Sequence, residues 1–164
     1  MINIKKAVLA DAITIHKLAH QIYFPTYTGV LGQDQMEFML EKSYTEVALQ
    51  QSMHLGEDFF IVYDDCLPVG FMSLRVKDEK ILRIEKLYLL PETQGLGVGK
   101  KSIDFALNEA SLRGKSLVEL NVNRGNKAYY FYLKMGFEVV ELVDIPYFGY
   151  VLDDYVMQMT VSLT

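Results

Sequence analysis

The stretch from Ile81 to Lys100 limits what this chain can be more than any other. Ile81–Leu90, rich in aromatic and branched apolar side chains, reads as a strand that Pro91 ends. Gln94-Gly95-Leu96-Gly97-Val98-Gly99-Lys100 follows almost at once. From Gly97 to about Leu112 the apolar residues Val98, Ile103, Ala106, Leu107 and Ala110 recur at helical spacing, and Gly114 stops the run. Three glycines at spacing two, between a strand and a helix, leave backbone N–H groups unshielded by side chains. The helix adds its first-turn donors and the positive end of its dipole. Such a turn is suited to phosphate. A P-loop would need glycine five positions before Gly99, where Gln94 stands, and G-x-G-x-x-G would need glycine where Lys100 stands, so neither phosphate loop fits.

Charge is distributed to match. Net charge is −5, which argues against a general nucleic-acid binder. Residues 94–134 nevertheless hold seven basic and three acidic residues, a local +4 that leaves −9 on the rest. Two readings stay open: one stretch is set up to meet an anion while the remainder favours a cationic second ligand, or much of this charge is simply solvated surface. With 164 residues, 51% of them hydrophobic, the expectation is one domain over 1–164. Cys66, the one cysteine, allows neither an internal disulfide nor a thiolate cluster, and its neighbours Asp64 and Asp65 disfavour a thiolate. Met1–Lys6 lacks a signal-peptide layout, and no apolar run nears the roughly 20 residues of a membrane span. The expected location is cytoplasmic. His16 and His20 stand at i, i+4, but no glutamate lies between them and no third ligand suggests itself, so no metal is expected.

The remaining elements read as a strand over Ile2–Val8, a helix capped by Asp11 and running through Ile22, and a second helical region from Met36 to about Met53. Phe59–Tyr63 and Val69–Val76 are strands joined by a turn at Asp64–Pro68, and Lys77–Lys80 turns into Ile81–Leu90. After the helix come a strand at Ser116–Val122, a short helix at Asn126–Met135 closed by Gly136, and strands at Phe137–Val143 and about Gly149–Ser162. A meander feeding a β-α-β crossover implies an α+β (mixed α/β) fold, its mixed, mostly antiparallel sheet carrying helices on both faces.

A second block, Asn126-Lys127-Ala128-Tyr129-Tyr130-Phe131-Tyr132-Leu133-Lys134-Met135-Gly136-Phe137, supplies N-x-A-x-x-F-Y-x-x-x-G-F. Together with the turn, which matches Q/R-x-x-G-x-G/A, it resembles the GNAT superfamily of acetyl-CoA-dependent N-acetyltransferases. The resemblance is strong from about Phe59 to Val143; outside that it extends only to the order of elements.

The resemblance implies acetyl-CoA as cosubstrate. The strand Ile81–Leu90 would splay from Ser116–Val122, with backbone groups of Leu87 and Leu89 holding pantetheine and the Leu89 N–H polarising the thioester carbonyl. Gln94, Gly95, Gly97, Gly99 and Lys100 would take the pyrophosphate, Asn126 would contact the cofactor, and Lys134 would reach the nucleotide phosphate. Tyr132 would protonate the departing thiolate, and Glu85, on the same strand face as Leu89, would take the acceptor's proton, directly or through a water. Other readings of these residues remain open: Tyr129–Tyr132 as one packing face, Glu85 paired with Arg83 or Lys86.

The acceptor side is expected to use Tyr23, Phe24, Tyr27, Glu41, Tyr147 and Tyr150, since aromatics with a carboxylate suit an amine cation. Phe24–Tyr27, Gln35–Leu40 and the ending Gly149–Tyr155 look like bacterial polyamine acetyltransferases of the spermidine/spermine type. The expected partner is a small-molecule amine, with no nucleic acid or membrane, and homodimerisation stays open. Two alternatives compete: acetylation of a peptide or protein N-terminus, and a non-catalytic module that binds acyl-CoA as a regulatory ligand.

Overall fold

A computed structural model describes residues 1–162 of the chain. The chain divides into two compact units, one of Met1–Arg75 with Lys86–Ser102, the other of Val76–Glu85 with the chain from Ile103 onward.

The first unit holds β1 (Ile2–Lys6), α1 (Ala12–Tyr27), α2 (Gln33–Ser43), α3 (Glu46–His54), β2 (Asp58–Asp64), β3 (Leu67–Val76), the later half of β4 (Ile81–Leu89) and the first turn of α4 (Val98–Leu112). Its strands follow in the order β1-β2-β3-β4, with β1–β2 and β2–β3 antiparallel. Ile15, Leu18, Ala19 and Ile22 share one face of α1 and pack with Met36, Leu40, Leu49, Phe59, Ile61 and Phe71. Phe60, Val62, Met72 and Leu74 are buried as well, so β2 and β3 are covered on both faces. Phe59-Phe60-Ile61-Val62 is apolar without alternation for that reason.

Three local expectations need correction here. Asp11 does not cap α1 through its side chain; its Oδ2 accepts from the Val8 N–H at 2.8 Å and closes a 3-10 turn at Leu9–Asp11. The helical region Met36–Met53 is two helices, because Tyr44 ends α2 and is buried, and Thr45 Oγ1 accepts from the Ala48 N–H at 3.1 Å to start α3. The Asp64–Pro68 turn is shorter than read: Asp64 pairs with Leu67, Asp65 is left-handed (φ 53°), and Pro68 already lies in β3 beside a bulge at Val62/Tyr63.

The second unit holds the first half of β4, the rest of α4, β5 (Leu117–Asn123), α5 (Ala128–Met135), β6 (Glu138–Tyr147) and β7 (Tyr150–Thr160), in the order β4-β5-β7-β6. The β4-α4-β5 crossover makes that pair parallel, while β5–β7 and β6–β7 are antiparallel. Its buried residues include Leu82, Ile84, Ile103, Ala106, Ala110, Val118, Leu120, Val122, Phe137 and Met157. β6 runs four residues past Val143, where Asp144 and Pro146 hide it from pattern reading; an edge strand tolerates both. The fold is thus the expected α+β arrangement with a mixed, mostly antiparallel sheet.

Candidate active site

The glycine turn is open. Gly95 and Gly97 have φ of +80° and +77°, values that L side chains rarely adopt, and a Cβ built on either meets nothing within 4 Å. The Leu96 N–H donates to the Thr93 carbonyl at 3.2 Å and the Lys101 N–H to the Gly97 carbonyl at 3.1 Å. Between them, the amides of Gly97, Val98 and Gly99 have no backbone carbonyl among the described residues, as the first turn of a helix requires. Gln94 and Lys100 are exposed at either end. Among the described residues nothing occupies the side-chain space at Gly95 or Gly97, so the turn leaves these three backbone donors without a partner at a helix N-terminus.

The strand that feeds the turn presents a second row of backbone groups. The Leu90 N–H donates to the Val69 carbonyl at 2.8 Å, so Leu90 faces β3. Because N–H and C=O alternate in side along a strand, Tyr88 also faces β3 while Leu87 and Leu89 point to the other edge. The β4–β5 register covers four pairs and stops at Ile84–Leu120, although β4 continues to Leu89 and β5 to Asn123. Gly70 lets β3 lie this close, since a Cβ there would stand 2.5 Å from the Tyr88 carbonyl oxygen.

In the second unit Tyr132 is 8% exposed on α5, with its ring against Phe131 and Phe137. Buried tyrosines usually hydrogen-bond, yet among the described residues its hydroxyl has no partner. Burial pushes its pKa up to about 12, so at neutral pH it is wholly protonated. Asn126 folds its Oδ1 back to accept from the Ala128 N–H at 2.9 Å, which starts α5 and leaves both amide donors outside that bond. Lys134 is exposed in the last turn of α5.

Glu85 is held. Its Oε1 accepts from Arg83 Nε at 3.2 Å, and the two side chains are only 14% (Arg83) and 20% (Glu85) exposed. Arg83 also donates from Nη2 to Asn121 Oδ1 at 2.9 Å and from Nη1 to Glu119 Oε2. Glu119 is 2% exposed and takes Lys77 Nζ at 2.9 Å and Gln158 Nε2 at 2.9 Å as well. Burial alone would raise its pKa; the bonds from Gln158, Lys77 and Arg83 outweigh that and hold it below the ordinary glutamate value. Pattern reading of single strands missed Glu119, Lys77 and Gln158, because the row exists only through the β4–β5–β7 register.

The expected acceptor residues fall in both units. In the first, Tyr23 is 4% exposed within the core and Tyr27 is half-buried, its hydroxyl bonded to that of Tyr88 at 3.0 Å. With Tyr44 they make a tyrosine cluster whose ring centroids lie 4.6 to 6.3 Å apart. Burial, then neighbouring tyrosines, raise the pKa of Tyr44 and Tyr88 well above the usual value, so both stay neutral. Tyr44 and Tyr88 carry no local sequence signal. Phe24 is half-buried and Glu41 exposed. In the second unit Tyr147 and Tyr150 face each other in register across a turn in which Phe148 is left-handed (φ 50°).

Part of the basic excess of residues 94–134 is structural. Arg113 pairs with Glu109, Arg124 with Asp144, and Lys115 donates to the carbonyls of Asp78 and Glu79. Lys100, Lys101, Lys127 and Lys134 remain exposed. The Nδ1–H groups of His16 and His20 go to the carbonyls of Tyr44 (2.7 Å) and His16 (2.9 Å), which explains their spacing without a metal. A shallow cavity of about 340 Å³ lined by Lys6–Leu9, Met53, His54 and Glu57–Phe59 contains none of the residues expected to do chemistry. No helix among the described residues is long and apolar enough to cross a membrane.

Comparison with known proteins covers the same ground. Over 147 residues the chain is 29% identical to the spermidine N(1)-acetyltransferase of Thermoplasma acidophilum, across 84% of this chain and 89% of that protein. An uncharacterized N-acetyltransferase of Methanocaldococcus jannaschii is 29% identical over 131 residues, 75% of this chain and 56% of the relative, so the match spans little more than half of that protein's length. The crystal structure of the PaiA N-acetyltransferase of Thermoplasma acidophilum in complex with coenzyme A has a TM-score of 0.84 at 25% identity, covering 98% of this chain and 99% of that one. Residues 27–145, which include Glu85, the glycine turn and Tyr132, match the acetyltransferase (GNAT) domain model. The chain belongs to the GNAT acetyltransferase family.

Proposed function

We propose that this chain moves an acetyl group from acetyl-CoA to a primary amine of a polyamine such as spermidine, by direct attack in a ternary complex. The open glycine turn carries the reading. Gly95, Gly97, Gly99 and Lys100, with Gln94, take the pyrophosphate, and the outward backbone groups of Leu87 and Leu89 pair with pantetheine. The Leu89 N–H faces the thioester carbonyl oxygen as charge develops on it. A polyamine nitrogen is ammonium at neutral pH and must lose a proton before it attacks. Glu85 accepts that proton, directly or through a water, as the C–N bond forms and the C–S bond breaks. Tyr132, with a pKa of about 12, donates a hydrogen bond to the departing sulfur and keeps its own proton until sulfur has taken negative charge. Asn126 and Lys134 contact the cofactor.

The acceptor follows from charge and from kinship. The chain outside residues 94–134 carries −9, and the Thermoplasma relative is named for spermidine. Tyr23, Phe24, Tyr27, Glu41, Tyr147 and Tyr150 are the residues assigned to it. The reading takes residues 1–164 as one catalytic domain. The test is an acceptor panel of spermidine, spermine, a monoamine and an N-terminal peptide, read by release of free coenzyme A thiol. Spermidine should turn over fastest. A peptide that outcompetes it overturns the acceptor, and coenzyme A binding without thiol release for any amine overturns the catalysis.

A further inference from the structure

Arg83 is shared between two carboxylates, and Glu119 has partners besides it. Lys77 Nζ reaches both oxygens of Glu119, at 3.2 and 2.9 Å, and Gln158 Nε2 adds a bond at 2.9 Å. That neutral pair with an amide already compensates a carboxylate that is 2% exposed. Arg83 then extends from Glu119 along β4 to Glu85, two residues on and on the same strand face. Through Arg83, Glu85 is linked to Glu119 and Asn121 on β5; Lys77 and Gln158 stand behind Glu119, and Asp154 on β7 bonds to Asn121.

We propose that Glu119 is a positioning residue for Glu85: by holding one side of the Arg83 guanidinium it fixes where the Glu85 carboxylate points and how readily it takes a proton. The consequence for catalysis rests on Glu85 being the proton acceptor proposed above. Removing the Glu119 charge hands more of Arg83 to Glu85 and makes Glu85 a weaker base. Removing the Lys77 charge makes Glu119 pull harder on Arg83 and makes Glu85 a stronger one. Two substitutions within the same ion pair therefore act with opposite sign, which simple loss of packing does not do.

The experiment is a pH titration of the full chain labelled with ¹³Cδ-glutamate, in wild type, Glu119→Gln and Lys77→Met, with the Glu85 resonance assigned by its loss in Glu85→Gln. The Glu85 midpoint should fall by about one unit in Glu119→Gln and rise by about half a unit in Lys77→Met. Lys77 is 46% exposed, so Lys77→Met tests the proposal even where Glu119→Gln fails to fold. Midpoints that stay within about 0.2 unit of wild type, or that move in the same direction, overturn the coupling. The acid limb of kcat with spermidine should move with the Glu85 midpoint. Glu85→Gln turning over at the wild-type rate would end the role of Glu85 as proton acceptor, while the titration still decides the coupling to Glu119.

Discussion

The glycine turn and the Glu119 row handle polar groups in opposite ways. At the turn, the amides of Gly97, Val98 and Gly99 have no backbone carbonyl bonded to them among the described residues, and none of those residues stands within 4 Å of the space a side chain would take at Gly95 or Gly97. In the row, a carboxylate that is 2% exposed is met by a lysine, an arginine and an amide. A buried polar group without partners costs about 1–3 kcal/mol, so the row is satisfied by the chain itself. A helix N-terminus can meet that cost with phosphate oxygens from a ligand. Donors left without a partner mark where a ligand goes; saturated acceptors mark what holds the site still. Tyr132 resembles the turn in this respect, since its side chain is largely buried while its hydroxyl has no partner among the described residues.

Tyr132→Phe is the sharpest way to break that division. If the hydroxyl waits for the leaving sulfur, kcat should fall roughly 100-fold with KM for acetyl-CoA within about two-fold of wild type. Unchanged kcat would return Tyr132 to packing. The same burial gives a separate signal at high pH. With the folded pKa raised to about 12 from the ordinary 10, Tyr132 favours the folded state fully below pH 10, and that contribution is lost as pH climbs toward 12. Wild type should therefore lose stability over pH 10–12 more steeply than Tyr132→Phe, as followed by denaturant midpoints.

Gly97→Ala comes next. It forces a side chain into a left-handed conformation, at about 1–2 kcal/mol, and points a methyl group into the space the turn keeps clear. Acetyl-CoA binding by calorimetry should weaken about ten-fold or more while the fold survives. Binding at wild-type strength would mean that the glycines serve only the bend.

What was legible in the sequence follows the same line. The turn is a local pattern, and Gly95, Gly97 and Gly99 announce it without help from the rest of the chain. The short helix that carries Tyr132 was legible from Gly136, which ends it in a left-handed conformation. The Glu119 row was not, because Val118-Glu119-Leu120 reads as an ordinary alternation and its partners sit 42, 36 and 39 residues away. Tyr44 and Tyr88 escaped for the same reason: each meets Tyr23 only through the packing of α1 and α2 on the sheet. β6 was cut short because Asp144 and Pro146 look like a turn, and an edge strand carries them without loss.

Glu119→Gln sharpens the saturated side of the comparison through acid stability. Glu119 titrates below the ordinary glutamate value when folded, so its contribution is present above the unfolded pKa and disappears as pH falls through the folded one. Wild type should lose melting temperature below about pH 4.5 more steeply than the variant. A parallel pair of curves would mean that the row is not a charged network in solution.

Lys134→Ala should have the smallest effect, and its size separates a charge near a ligand from a built contact. Lys134 is exposed on the last turn of α5, where a long side chain gains little from any one partner and its field is screened within about 10 Å at 0.1 M salt. If it only adds positive potential toward a nucleotide phosphate, KM for acetyl-CoA should rise about two- to three-fold at low ionic strength. The difference should vanish near 0.5 M salt, where the Debye length is down to about 4 Å. A ten-fold rise that survives salt would show a fixed lysine–phosphate bond formed on binding. Lys134 would then belong with the amides of the turn, as a donor held ready for one ligand rather than as part of a diffuse field.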